Sequence, residues 1–148
     1  MAWMTTFLQD RPDVDFTGYD IVNKNIEQHR EVFKNHKDWR FETHDIVKDH
    51  IKQSFDLILS RHTFQHLKTN DVKKIIKNFI NSGSRFLLAT NYPQTKTNSE
   101  LKENTQYRHR PLNLYLKPFY FPPQICNSTD TEKSTIMLWD LHTISLEI

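Results

Sequence analysis

Asp15-Phe16-Thr17-Gly18-Tyr19-Asp20-Ile21-Val22 reads as a short buried strand that ends on an acid, with a helix starting at Asn23. In nucleotide-binding α/β folds, a carboxylate at the carboxyl end of the second strand accepts hydrogen bonds from ribose hydroxyls. It stands about 20 residues beyond a glycine-rich loop. Counting back by that interval from Asp20 reaches Met1, so the expectation is a chain that begins where its glycine loop would have been. Only two glycines occur, Gly18 and Gly83. Both common phosphate-cradling loops need at least two glycines a few residues apart, which excludes an intact P-loop and a complete dinucleotide fingerprint.

Upstream of this stretch, Trp3, Met4, Phe7 and Leu8 share one face at helical spacing, predicting a helix over 2–10 that Pro12 ends. Gly18 inside the strand marks a close backbone or ligand approach, or a bulge. Downstream, Asn23 is the expected cap of a helix to about His36, with Ile26 and Phe33 on one face. Trp39–Ile46 reads as a second strand, with Asp45 near its end. Ser54–Ser60 reads as a third; Phe55, Leu57, Ile58 and Leu59 are nearly continuous, as in a strand covered on both faces. Asn70 is the expected cap of a helix carrying Val72, Ile75, Ile76, Phe79 and Ile80 on one stripe, and Gly83 sits where a left-handed C-cap belongs.

Arg85–Thr90 is a further buried strand. Gln94–Tyr107 is polar and reads as a long loop or lid. Arg108–Ile125, rich in proline and aromatics, reads as an irregular arm, and Asn127–Ser134 as a polar turn. Thr135–Leu141 is a last strand, expected to pair antiparallel at an edge. Strands alternating with helices from Asp15 to Thr90 predict a parallel sheet with helices on its faces. The organisation expected is one α/β domain over 1–148, with an irregular lid or arm over 94–134.

Composition narrows the function classes. At 148 residues the length suits one domain. The net charge of +2 comes from interspersed bases and acids, so no strong nucleic-acid signal stands out. One cysteine, Cys126, excludes an intrachain disulfide, gives no zinc pattern and points to a reducing compartment. No apolar run approaches the ~18 residues of a membrane span, and the amino terminus lacks a signal-peptide pattern. The expected location is cytoplasmic, with the nucleus an alternative.

Taken in order, these pieces resemble a class I S-adenosylmethionine-dependent methyltransferase. Tyr19-Asp20-Ile21 is similar to the acidic end of that family's second strand, and His44-Asp45-Ile46 to the end of its third. Phe55 through Leu67 resembles the fourth strand and the segment after it, and Phe86–Pro93 the fifth strand. Lys133–Leu141, with Leu138-Trp139-Asp140-Leu141, resembles the closing strand of one branch. The resemblance implies an incomplete Rossmann-like fold: a mostly parallel sheet, helices on both faces, and a C-terminal antiparallel edge strand. It departs from the family in lacking the first strand and its glycine-rich loop, as a truncated form would. That strand lies mid-sheet, between the strands assigned to Phe16–Val22 and Phe55–Ser60. A second copy in a homodimer, or a partner chain, is then expected to complete the sheet, unless the two strands close up.

The resemblance also implies roles. Asp20 would hold the cofactor ribose, with Ile21 against the adenine. Asp45 would accept from the adenine amino group, with Ile46 beside the ring. Ser60 and Arg61 would meet the cofactor near the acceptor, and His62 is the candidate general base, since its titration range suits proton removal. For each there is a plainer alternative: a solvated strand-end acid for Asp20, a cap of the Val47–Asp49 turn for Asp45, a packed histidine for His62. His62 and His66 are four apart, which suits two metal ligands on one helix face, but no third ligand completes the pattern and no metal is expected.

The function implied is methyl transfer from S-adenosylmethionine to an unidentified acceptor. The alternatives are a non-catalytic methyltransferase-like scaffold or protein-binding module, to which the absent glycine loop points, and a nicotinamide-dependent oxidoreductase, which accounts less well for Ser60–Leu67 and the Trp139 strand.

Overall fold

The computed structural model describes residues 8, 11–102 and 109–146. Apart from Leu8, the helix expected over 2–10 lies outside them. The chain divides into two compact units, 1–49 and 50–148, taken separately below.

In the first unit, β1 (Phe16–Asp20) and β2 (Trp39–Thr43) pair in parallel, Phe16 opposite Trp39 and Asp20 opposite Thr43, with α1 (Asn23–Val32) between them in sequence. Ile26 of α1, Phe33 just past its end and Phe41 of β2 form the buried core, flanked by Phe16 and Trp39. Phe33 and Phe41 stack with centroids 5.6 Å apart. The expected cap at Asn23 is corrected: Val22 occupies the cap position. The Asn23 amide instead donates to Glu27 and accepts from Thr43 Oγ1 at 2.7 Å, tying the start of α1 to the end of β2. The helix also stops at Val32 rather than His36.

Gly18 pairs in regular register with Phe41, so it marks no bulge. It marks a close approach: a Cβ there would lie 2.9 Å from Phe41 Cδ1 and 3.1 Å from Phe16 Cε1. Those rings are wedged in the core and cannot swing away cheaply. Gly18→Ala is therefore expected to destabilise the chain by about 1–3 kcal/mol, read as a lower urea midpoint at unchanged slope.

In the second unit, the sheet order is β3 (Leu57–Ser60), β4 (Phe86–Asn91), β6 (Thr135–Asp140), β5 (Cys126–Thr129). β3 and β4 are parallel; β6 runs antiparallel to both β4 and β5. Two expectations change. The last strand is interior rather than at the edge, because residues 126–129, expected to be arm and turn, form the edge strand β5. β3 is itself an edge strand among the described residues, with Leu57 48% exposed, so its apolar run is not covered on both faces.

α2 (Thr69–Asn81) buries Val72, Ile75, Ile76 and Phe79, and Gly83 follows it at φ 74° as the C-cap reading required. Its amino end corrects a second cap. Lys68, not Asn70, holds the cap position, and the free Thr69 N–H is taken by the Glu100 carboxylate at 3.1 Å, from 31 residues away. Burial works to raise the Glu100 pKa, but N–H groups of Leu101 and Thr69 and the charge of Arg110 outweigh it, and the net direction is down. A depressed folded pKa contributes stability above the unfolded value and loses it as pH falls through the folded one. From about pH 6 to pH 3, Glu100→Gln is therefore expected to lose stability less steeply than wild type. Glu100 is 59% exposed, so the difference is small; paired denaturation series against pH read it.

The segment from Pro93 to Pro123 has no strand or α-helix among its described residues, yet its backbone is not left unpaired. Asn98 donates to the carbonyls of Asn113 and Lys117 and accepts from the Asn113 N–H at 2.8 Å. Asn113 in turn donates to the carbonyls of Pro93 and Thr95. Leu112, Leu114, Phe119 and Phe121 are buried, and Phe121 meets Trp139 of β6 edge-on at 5.2 Å. Arg110, only 4% exposed, fastens the arm to α2 by donating to the carbonyls of Ser99 and Leu67 and to Thr69 Oγ1.

Candidate functional site

The candidate residues of the first unit gather at the carboxyl ends of β1 and β2. The Asp20 carbonyl accepts the His44 N–H at 2.9 Å, so the strand ends stay in step to His44. Asp20 Oδ1 accepts from the Val22 N–H at 2.8 Å and Oδ2 from the Asn25 amide at 3.0 Å. A carboxylate has about four acceptor positions, so two remain open among the described residues. Ile21, next to it, is 64% exposed, and Val22 is 48% exposed. An apolar pair left in solvent beside a strand-end acid is a shelf without a cover.

Asp45 is more fully engaged. Its Oδ1 accepts the Val47 N–H at 3.0 Å, and Lys48 Nζ lies 3.4 Å from Oδ2. Burial raises its pKa, but the Val47 and Lys48 contacts prevail and hold it below the usual value. The carboxylate thus caps the turn after β2, with Ile46 half-buried beside it. A cleft of about 310 Å³, lined in part by Arg11, His36, Lys37 and Trp39, opens near the amino end of β2, the opposite end from these acids.

In the second unit, Ser60, Arg61 and His62 stand at the carboxyl end of β3. Ser60 Oγ is buried with no hydrogen-bond partner among the described residues. Arg61 donates from Nε to Asp130 Oδ1 at 2.9 Å, and its Nη2 lies 2.8 Å from the same oxygen. His62 Nε2 is 2.9 Å from Asp130 Oδ2, yet that oxygen has no well-aligned donor. The spacing is that of a hydrogen bond, but the contact is off axis. On its other side, His62 Nδ1 lies 2.8 Å from Gln65 Nε2, and the His62 N–H donates to Thr90 Oγ1 at 2.9 Å. The residue has φ 53°, a left-handed backbone that costs a side chain energy.

His62 and His66 do not share a helix face. The 3₁₀ turn begins at Phe64, after His62, and His66 instead meets the His109 ring at 5.6 Å. Among the described residues no three His, Cys, Asp or Glu side chains are arranged to hold a metal. No helix described is long and apolar enough to cross a membrane.

Sequence reasoning missed Gln65, Thr90, Asp130, Tyr92 and His109 at this end of the sheet. Tyr92 and His109 are joined by a 3.1 Å contact between phenol and Nε2. Burial, then the charge of Asp130, pushes the phenol pKa up; burial, then His66 and His62, pushes the imidazole down. Both shifts favour neutral partners, and the imidazole tautomer decides which of the two donates.

Comparisons with known proteins place this geometry in a family. Curated protein sequences return no match. Among solved structures, the protein PH0226 from Pyrococcus horikoshii OT3 is similar over 91% of this chain and 75% of its own, at 15% identity and TM-score 0.64. TehB from Haemophilus influenzae is similar over 84% of this chain and 49% of its own, at 19% identity and TM-score 0.56. Magnesium protoporphyrin IX methyltransferase (ChlM) from Synechocystis PCC 6803, solved with bound SAM, is similar over 84% and 58%, at 17% identity and TM-score 0.55. The chain thus spans about half the length of TehB and under two thirds of ChlM. At these identities the likeness shows the fold, an incomplete Rossmann-like one. A family model described as a methyltransferase domain matches residues 2–82, more than half of the sequence, and on that match the chain belongs to the methyltransferase domain family.

Proposed function

We propose that the chain binds S-adenosylmethionine and serves methyl transfer to an acceptor not yet identified. The observation that carries this is the pairing of Asp20, with acceptor positions to spare, and the exposed Ile21 at the end of β1. Their chemistry fits the nucleoside half of that cofactor: the carboxylate would accept from ribose hydroxyls and Ile21 would cover the adenine. Asp45 and Ile46 would flank the adenine edge, with Asp45 offering only what its turn leaves free. The cofactor supplies a methyl group on an already activated sulfonium, so the chain's part is to bind, align and exclude water. The bound SAM of the ChlM structure supports the cofactor class.

A second reading, a methyltransferase-like module that binds without catalysis, is favoured by His62, whose ring nitrogens both face protein groups. Isothermal titration of the folded 148-residue chain with S-adenosylmethionine and S-adenosylhomocysteine tests the cofactor binding that the first reading requires. Saturable micromolar binding supports the first reading and justifies an acceptor search. No heat from a chain shown to be folded removes it.

A further inference from the structure

We propose that the ring cluster of Tyr92, His109 and His66 is an acid-sensitive latch on the start of the arm: it keeps residues 109–112 seated at neutral pH and lets them open more readily as the solution turns acid. The Arg110 N–H donates to the Gln65 carbonyl at 3.0 Å, and the Tyr92 N–H to the Leu112 carbonyl at 3.0 Å, so the arm crosses from the 3₁₀ turn after β3 to the end of β4. His109 stands at the head of that crossing. Its Nε2 lies 3.1 Å from the Tyr92 phenol, and its ring meets that of His66 at 5.6 Å, tilted by 62°. Tyr92 is 8% exposed, whereas His109 and His66 are exposed. Acid therefore reaches both imidazoles in the folded chain.

The phenol serves His109 in either charge state, because a hydroxyl donates to a bare nitrogen and accepts from a protonated one. The neighbouring imidazoles do not. Two positive rings 5.6 Å apart repel, weakly in water and more strongly beside a buried group. Among the described residues, the titratable groups acting on His109 are Tyr92 from the end of β4 and His66 and His62 from the segment after β3, while Asp130 of the β5–β6 turn acts on the phenol. Arg110, the next residue in sequence, is turned to Ser99, Leu67 and Thr69. Although His109 is exposed as a residue, its Nε2 faces the buried phenol. Burial first, then His66 and His62, lowers its pKa. A base with a lowered folded pKa takes up its proton more readily once its segment opens. The seated arm is then at full stability above the ordinary histidine value of about 6.5, and loses stability as pH falls from there through the lower, folded value. Solvent contact at His109 keeps the loss modest and local.

Hydrogen exchange at the Arg110 amide of the 148-residue chain tests this, read by NMR as protection relative to an unstructured peptide. Between about pH 7.5 and 5.5, wild-type protection is expected to fall roughly threefold or more. The His109 ring is expected to titrate below its ordinary value. His109→Gln keeps a polar partner for the phenol and is expected to hold protection level across the interval. His66→Gln is expected to move the His109 titration up toward its ordinary value and to shrink the fall. Both histidines are exposed, so glutamine at either leaves the core in place, and thermal midpoints check that it does. Level protection in the wild type overturns the proposal, as does a fall that persists undiminished in His109→Gln, or a His109 titration unmoved by His66→Gln. The latch lies within the second unit and its readout needs no cofactor, so it stands or falls separately from the function proposed above.

Discussion

Replacing Arg110 with methionine is expected to lower the unfolding free energy by about 3 kcal/mol or more. The guanidinium is 4% exposed and donates at 2.7 Å to the Ser99 carbonyl, 2.9 Å to the Leu67 carbonyl and 3.2 Å to Thr69 Oγ1. Methionine fills much of the same volume and supplies none of these, leaving two carbonyls and a hydroxyl short of a donor. A hydrogen bond from a charged donor contributes roughly 1.5–3 kcal/mol. The sum overstates the loss, because the wild-type side chain is itself under strain. Nε is buried without a partner among the described residues, and burial, only partly relieved by Glu100, pushes the guanidinium pKa down. Arg110→Lys is expected to recover less than half of the loss, because a single ammonium on a thinner stem cannot reach three acceptors that a planar fork spans. Urea unfolding of the three proteins measures this. A methionine variant within about 1 kcal/mol of wild type would mean that apolar packing, not the clasp, holds the arm on α2.

Asp20→Asn is expected to weaken S-adenosylhomocysteine binding by roughly tenfold to a hundredfold while leaving the thermal midpoint almost unchanged. Turning a carboxylate into an amide removes the charge from bonds to ribose hydroxyls, and a loss of 1.4 kcal/mol is tenfold in affinity. The amide oxygen can still accept the Val22 N–H. The Asn25 contact is exposed and its loss costs little. Asparagine is therefore a cleaner probe than alanine, which would also unseat the start of α1. Equal affinity in wild type and variant, measured by titration, would place the ribose elsewhere and remove Asp20 from the site.

The strands were legible in the sequence wherever a buried face wrote its pattern into it. Leu87 and Ala89 on β4, and Met137 and Trp139 on β6, are buried at alternate positions. β5 wrote no such pattern: Cys126, Asn127, Ser128 and Thr129 are all exposed, and their strand character comes entirely from pairing with β6. The caps failed for a related reason. Asn23 and Asn70 are good local caps, but Thr43 claimed the first and Glu100 made the second unnecessary. Asp20 and Asp45 could be placed at or just past strand ends because aromatic strand residues precede them, Phe16 and Tyr19 before the first and Trp39 and Phe41 before the second. Asp130 could not, because its partners Arg61 and His62 lie almost seventy residues earlier, and nothing local distinguishes it from any other turn acid.

The asparagine pairing in the arm has a consequence for how this segment can change over evolutionary time. The side chains of Asn98 and Asn113 bond chiefly to backbone atoms, Asn98 to the main chain of Asn113 and Lys117 and Asn113 to that of Pro93 and Thr95. The path of the arm is thus held by a few side chains, these two together with Arg110, rather than by a repeating ladder. Exposed neighbours along it are free to vary without moving that path, so the arm can drift in surface chemistry while its course over the second unit stays constant.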